Sequence, residues 1–530
     1  MYEHFEDDNR PFFYVKIWGN KMKKYFMAGL MMCFFSCAAM SGDIPSFKYN
    51  NVVVKARELA LKKYKPQELK LPQELISMDY DAFRNVRYVR EEGPWYGKNI
   101  PFEIQFFHMG SIFKNSVRVN EIIGGKPVYI PYEAHAFTNN DKPLNAKGFG
   151  DIDYAGFRLH YPLNTPDYYD ELITFLGASY FRALGQGQKY GISARGLAID
   201  TGLQTGEEFP IFKEFWVKRP VQRNRNMTIY ALLDSKSVTG AYEFFIQPGK
   251  TTKVDVTATI FPREDIKKLG IAPLTSMYLF GENTKTRFFD YRPEVHDSDG
   301  LLVLNGNDEW LWRPLDNSKQ LRMSSFVDHN PKGFGLMQRD RNPDHYQDME
   351  AYYEQRPSVW IEPLFGFSKG SVHLVEIPSD KEIHDNVVAF FWPDKKIEKG
   401  KEYLFKYRMH WMSDAVPEIS DKAYVDSTYS GVGGVAGSPS ETFTKFVIDF
   451  KGGKLDSIEN ESFLKPIVSA SSGHINNIVV QKNTISGGYR LFFDYKPDEK
   501  TAELRASLSS KKEEDAGAVL TEVWSYQFLP

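Results

Sequence analysis

Between residues 290 and 392 the chain interleaves carboxylates with arginines and aromatic rings. The run Tyr291-Arg292-Pro293-Glu294-Val295-His296-Asp297-Ser298-Asp299-Gly300 comes first, then Asn307-Asp308-Glu309-Trp310-Leu311-Trp312-Arg313. Gln338-Arg339-Asp340-Arg341 and Arg356-Pro357-Ser358-Val359-Trp360 follow, and Glu382-Ile383-His384-Asp385-Asn386 stands at the mouth of an apolar stretch. Cleaving a glycosidic bond takes two carboxyl groups on opposite sides of the linkage, one an acid and the other a base or nucleophile. Flat Trp and Tyr faces, with Arg and Asn donors beside them, suit the holding of sugar rings. The plainer reading gives the same residues to loop caps and surface ion pairs. On residue types alone, the segment is open between a glycosidase and a binding protein of other specificity.

Several other chemistries are set aside by what the chain lacks. It has no HExxH, no Walker A loop and no GxSxG elbow. Its 2 cysteines, Cys33 and Cys37, both lie in an N-terminal apolar stretch, so a processed chain offers neither a thiol nucleophile nor a cysteine zinc site. The 11 histidines show no helical metal-ligand spacing. His296, His345 and His384 each neighbour a carboxylate and read as hydrogen-bonded structural residues. Asp297-Ser298-Asp299-Gly300 starts like a calcium loop without the EF-hand spacing. Gly431-x-Gly433-x-x-Ala436 resembles a dinucleotide loop but neither follows a clear strand nor opens a helix. No metal and no cofactor are expected.

The elements that must position these residues are mainly strands. Aromatic residues make up 15% of 530, with 39 Gly and 29 Pro, a composition that favours turn-rich β structure. Lys+Arg 66 against Asp+Glu 69 argues against a general nucleic-acid binder. A helix is predicted over 50–64. Alternating runs predict strands over 101–108, 116–122, 158–163, 227–233, 371–377, 386–392 and 402–412, with a hairpin over 241–261 turning at Pro248-Gly249. These build a large β-sandwich over 42–412. The Gly/Ser/Pro-rich stretch 413–440 reads as a linker, and 441–530 as a small immunoglobulin-like sandwich. Ahead of them, Lys21, Lys23 and Lys24, a short apolar run and the small residues Ser36–Ala39 lay out a secretory signal over 1–41. Phe34-Phe35-Ser36-Cys37 is a poor lipoprotein box, so plain cleavage is expected ahead of lipidation at Cys37. The product is expected to be soluble and monomeric or weakly dimeric.

The same segments resemble the periplasmic glucan biosynthesis proteins G and D of Gram-negative bacteria. The resemblance spans nearly the whole processed chain and is densest in LGASYFRALGQGQKYGISARGLAIDTG (176–202), NPKGFGLMQRDR (330–341) and VEIPSDKEIHDNVVAFFWP (375–393). It implies a mutarotase-like β-sandwich followed by an immunoglobulin-like one, a periplasmic location, and inverting endo-β-1,2-glucanase action on linear β-1,2-glucan. The family's general acid falls on Asp385 of Asp385-Asn386-Val387-Val388-Ala389. Its base-side carboxylate falls on Asp297 of Arg292-Pro293-Glu294-Val295-His296-Asp297-Ser298. Tyr291, Arg292, Trp310, Trp312, Arg339 and Trp360 are the candidates for holding the sugar. Arg339-Asp340-Arg341 and Asp299 lean towards protein D-like members, whereas the absence of a twin-arginine pair before the apolar run does not. The alternative reading is a non-catalytic glucan-binding factor, or a branching transferase, that partners a membrane glucosyltransferase.

Overall fold

The computed structural model describes residues 46–530, apart from 68–70, 141, 145–151, 285–286 and 436–437. The expected signal segment, with Cys33 and Cys37, lies outside the described residues. The chain is mainly β, as its composition implies, and Ser46–Pro530 forms one compact unit.

Two large sheets face each other across the main core. One has ten strands and carries Tyr180–Ala183, Ser193–Arg195, Leu269–Ser276, Val387–Pro393 and Lys369–Glu376 in the neighbourhood of Asp385. The other has fourteen, with the hairpin Val238–Gln247/Thr252–Pro262 near its middle. Strict alternation explains that hairpin: Val254, Val256, Ala258 and Ile260 point into the core, while Lys253, Asp255 and Thr257 between them stay half-exposed. Aromatic rings fill the space between sheets, with Phe175, Phe181, Phe212, Phe215 and Phe244 meeting edge-on or tilted.

The N-terminal helix runs Tyr49–Ala60, not to residue 64. It lays Val52, Val53 and Ala56 on the outer face of the larger sheet against Trp216, Tyr230 and Phe261. Its end is set by Arg263, whose guanidinium donates to the Leu59 and Lys62 carbonyls, the orphan acceptors of a helix C-terminus.

The stretch 413–440, expected as linker, is largely strand. Tyr424–Val435 forms an antiparallel hairpin with Ser438–Lys451. Gly433 lies within that strand because a Cβ there would meet the Phe443 Cβ at 2.5 Å, so glycine here permits close strand approach rather than flexibility. Gly431 and Gly433 are thus part of a sheet, not of a nucleotide loop.

The C-terminal part shares a sheet with the rest. Val523–Phe528 pairs in parallel with Trp310–Pro314, so Ala502–Ser510 and Leu464–Ala470 continue the fourteen-stranded sheet. The four strands Tyr424–Val435, Ser438–Lys451, Tyr489–Lys496 and His474–Lys482 cover it, enclosing a second core.

Candidate active site

Asp385 follows the strand Lys369–Glu376 and immediately precedes Asn386 and the strand Val387–Pro393. Asp297 follows the short strand Val295–His296. Although 88 residues separate them in the chain, both hang from the same two residues. The Asn386 side chain accepts from the Tyr278 amide at 2.8 Å and donates to the Tyr278 and Ile377 carbonyls at 3.0 and 3.1 Å. Tyr278 pairs with His296, and the adjacent Met277 carbonyl accepts from the Asp297 amide at 2.8 Å. Met277-Tyr278 is therefore the common anchor of the two carboxylate loops.

Their electrical surroundings differ. Asp385 is solvent-accessible, and the surrounding protein raises its carboxyl pKa above the ordinary value by desolvation. Arg182, Arg195 and Arg356 pull it down, while the Asp297 charge pushes it further up. Asp297 is buried and ion-paired with Arg356. Arg356 stands over the Tyr353 ring at 4.2 Å and donates to the Ala351 carbonyl. Burial opposes the Arg356 charge, yet Asp297 outweighs it and raises the guanidinium pKa. Gly191 packs against Arg356, where a Cβ would come within 2.8 Å of the arginine Cβ.

Arg182, Arg195 and Tyr180 were not singled out from sequence, and Arg356 entered only as the head of the run ending at Trp360. Arg182 donates to Ser193 Oγ at 2.7 Å; Arg195 donates to Thr275 Oγ1 at 2.8 Å and pairs with Glu207. Burial raises the Tyr180 hydroxyl pKa and the Asp385 charge adds to it. A signal was present: YFRAL and ISARGL place arginines inside otherwise apolar strands, where an unpaired cation is costly.

The sugar-holding candidates fare unevenly. Tyr291 is exposed. Arg292 is consumed by three carboxylates, Asp290, Asp348 and Glu382, which together raise its pKa; Glu382 also accepts from the Tyr353 hydroxyl. It knits three loops at the rim rather than offering free donors. Trp310, Trp312 and Trp360 are 6%, 3% and 2% exposed, and they belong to the core under the C-terminal strands beside Phe446, Leu504 and Trp524. Trp310 stacks on Trp360 at 5.6 Å, and Gly300 and Gly333 leave room for the Trp312 and Trp360 rings. Arg339 lies 3.7 Å over Trp312, pairs with the buried Glu522 and donates to the Ala415 and Val425 carbonyls. These four are packed inside the protein, and none of them presents a face to a ligand.

Two clusters bring possible metal-ligand atoms within 4.8 Å of one another: Glu294, His296 and Asp299, and Glu294, Asp340 and His345. His296 occupies the first itself. Its nitrogens meet Glu294 at 2.8 Å and Gln338 at 3.0 Å, and its ring stacks on Tyr278. Burial lowers its pKa, but Asp299 and Glu294 outweigh burial and push it up to about 10, so an imidazolium supplies the positive charge there. Asp299 caps the Arg339–Asp340 turn through their amides, and the Ser298 and Ser276 hydroxyls are hydrogen-bonded at 2.6 Å. The calcium-like loop is thus fully engaged within the protein. His345 and His384 bond to Asp340 and Ser379, as structural histidines do.

Comparison with known proteins places this architecture among relatives. The family model described as periplasmic glucan biosynthesis protein, MdoG, matches residues 47–528. Glucans biosynthesis protein G of Rhodopseudomonas palustris (strain BisA53) is 45% identical over 473 residues, covering 89% of this chain and 91% of the relative. The protein of that name from Ralstonia nicotianae is 44% identical over 494 residues, 92% and 96% of the two chains. The one from Vibrio cholerae (strain M66-2) is 43% identical over 485 residues, 91% and 87%.

Proposed function

The chain belongs to the family of periplasmic glucan biosynthesis proteins, and from that premise we propose that it is an inverting endo-β-1,2-glucanase that trims linear β-1,2-glucan in the periplasm. One observation carries the reading: two carboxylates share the Met277-Tyr278 anchor, one with a raised pKa and the other held in an ion pair. Inversion in one step needs that division, a protonated acid at the glycosidic oxygen and an ionised base for water on the opposite face of the ring. Asp385, open to solvent and short of hydration, is suited to hold and deliver the proton. Asp297, paired with Arg356 and buried, is suited to draw a proton from water through an intervening hydroxyl rather than by direct contact. Arg182 and Arg195 balance the charge left on Asp385 after transfer. The glucan is the partner, delivered in this reading by a membrane glucosyltransferase after the signal over 1–41 has been cleaved.

Incubating the purified protein with linear β-1,2-glucan and separating the products by chromatography tests the reading. Shorter glucans, with the α-anomer appearing first by NMR, are expected. Tight binding without products would reassign the chain as a glucan-binding factor, and branched products as a transferase.

A further inference from the structure

At the far end of the strand Val387–Pro393, about 20 Å from Asp385 at the usual rise of a strand, two segments run side by side. Residues 262–267 and 394–401 are joined by a bridge between Ile266 and Ile397. A groove opens on each side of this ridge. The first, about 700 Å³, is walled by Trp392, Ile266 and Val327 and rimmed by Lys267, Lys369, Lys395 and Lys396. The second, about 490 Å³, has Tyr64 and Phe261 in its wall and Lys62, Lys63, Lys236 and Lys399 around them.

The charge balance of this edge runs against that of the chain, whose net charge is −3. Two of the lysines are tied down, Lys369 by Asp394 at 2.7 Å and Lys396 by Asp265 at 3.3 Å. Among the described residues, Lys62, Lys63, Lys236, Lys267, Lys395 and Lys399 have no carboxylate within ion-pair distance. Gathering unpaired cations on one edge costs self-repulsion that a bound anion relieves. The aromatic walls add a second recognition element. Trp392 is only partly covered, and its ring is steadied by His373 at 5.0 Å and by the Lys268 ammonium at 5.6 Å. An aromatic face beside free ammonium groups suits a sugar ring that carries an anionic substituent. The concave shape of both grooves suits a chain laid along them better than the flat surface of a bilayer.

We propose that this edge is a second carbohydrate site, separate from the carboxylate pair, which takes saccharide chains bearing anionic groups. It goes beyond the hydrolytic reading and stands whether or not the chain cleaves neutral glucan.

The test uses the whole processed protein, short chemically sulfated gluco-oligosaccharides, and the same oligosaccharides unsubstituted, with binding measured by calorimetry at low and raised salt. The sulfated sugars are expected to bind more tightly and to lose affinity as salt rises. The variant Lys267→Glu/Lys395→Glu/Lys399→Glu should bind them at least roughly tenfold more weakly, with unchanged melting temperature and unchanged activity on neutral β-1,2-glucan. Trp392→Ala should weaken the sulfated sugars while leaving binding of inorganic sulfate alone unchanged. Equal affinity for sulfated and neutral sugars, or indifference to charge reversal, overturns the proposal. So does binding to phosphatidylglycerol vesicles without affinity for the sulfated sugars, which would make the edge a membrane-facing surface.

Discussion

Asp385 can donate a proton only while it holds one, so its surroundings translate into a pH dependence. Its pKa is raised, and activity is expected to fall as pH climbs through that raised value. Arg182 stabilises the ionised form, so Arg182→Gln should raise the pKa again and carry the basic limb of kcat/KM to higher pH. A pH–rate profile checks this; a shift to lower pH would remove Asp385 as the acid. Asp385→Asn and Asp297→Asn should each lower kcat by roughly 10²–10⁴. Their stabilities should differ. Asp385→Asn removes a charge that its site disfavours and should leave the melting temperature equal or higher. Asp297→Asn strands the Arg356 guanidinium, and breaking such a pair costs about 3 kcal/mol. Thermal unfolding of both variants makes the comparison.

At the scale of elements, the site depends on Asn386 holding the turn before one strand to the strand residue Tyr278. Asn386→Ala leaves the buried Tyr278 amide without its acceptor, a loss of about 1–3 kcal/mol. Both carboxylates should lose their relative position, so kcat should fall far more than KM rises. Asn386→Asp keeps the acceptor but turns a carboxylate onto the Tyr278 and Ile377 carbonyls, so kcat should stay low in steady-state kinetics. A KM effect alone would make Asn386 a binding or purely structural residue. Many of the longer strands were legible at this scale: the alternating run over 386–392 appears as Val387–Pro393, and that over 402–412 as Tyr403–Met412. The Trp310-Leu311-Trp312 run was read for its rings rather than as a strand, and it forms the strand Trp310–Pro314, buried throughout.

For the whole molecule, the buried Arg339–Glu522 pair ties the end of the strand Gly333–Met337 to the start of Val523–Phe528, with side chains 1% and 0% exposed. Glu522→Gln should destabilise by about 3–5 kcal/mol, because Arg339 is left as an uncompensated buried charge. Since the fourteen-stranded sheet and the tryptophan core run through both parts, calorimetry should show one unfolding transition that moves as a whole. Two transitions, with only the C-terminal one shifted, would mean that the parts melt independently.

The amino-acid sequence alone determined the β class, many of the longer strands and the family, and the family resemblance in turn points to Asp297 and Asp385 as the carboxylates to test. Alternation of side chains is a local property of extended chain, and long matching runs survive whatever their surroundings. Tertiary structure decided what lies opposite what. The Tyr424–Val435 strand looked like linker because its glycines serve a close strand approach that only its partner reveals. The three tryptophans and Arg339 looked like a sugar platform because indoles and guanidinium groups stand beside carboxylates in the chain. Their faces were claimed by the core that the strands from Tyr424 onward close over them. Burial is set by contacts distant in sequence, and so is the electrostatic influence of Arg182, Arg195 and Arg356 on Asp385, which underlies the roles proposed for the two carboxylates.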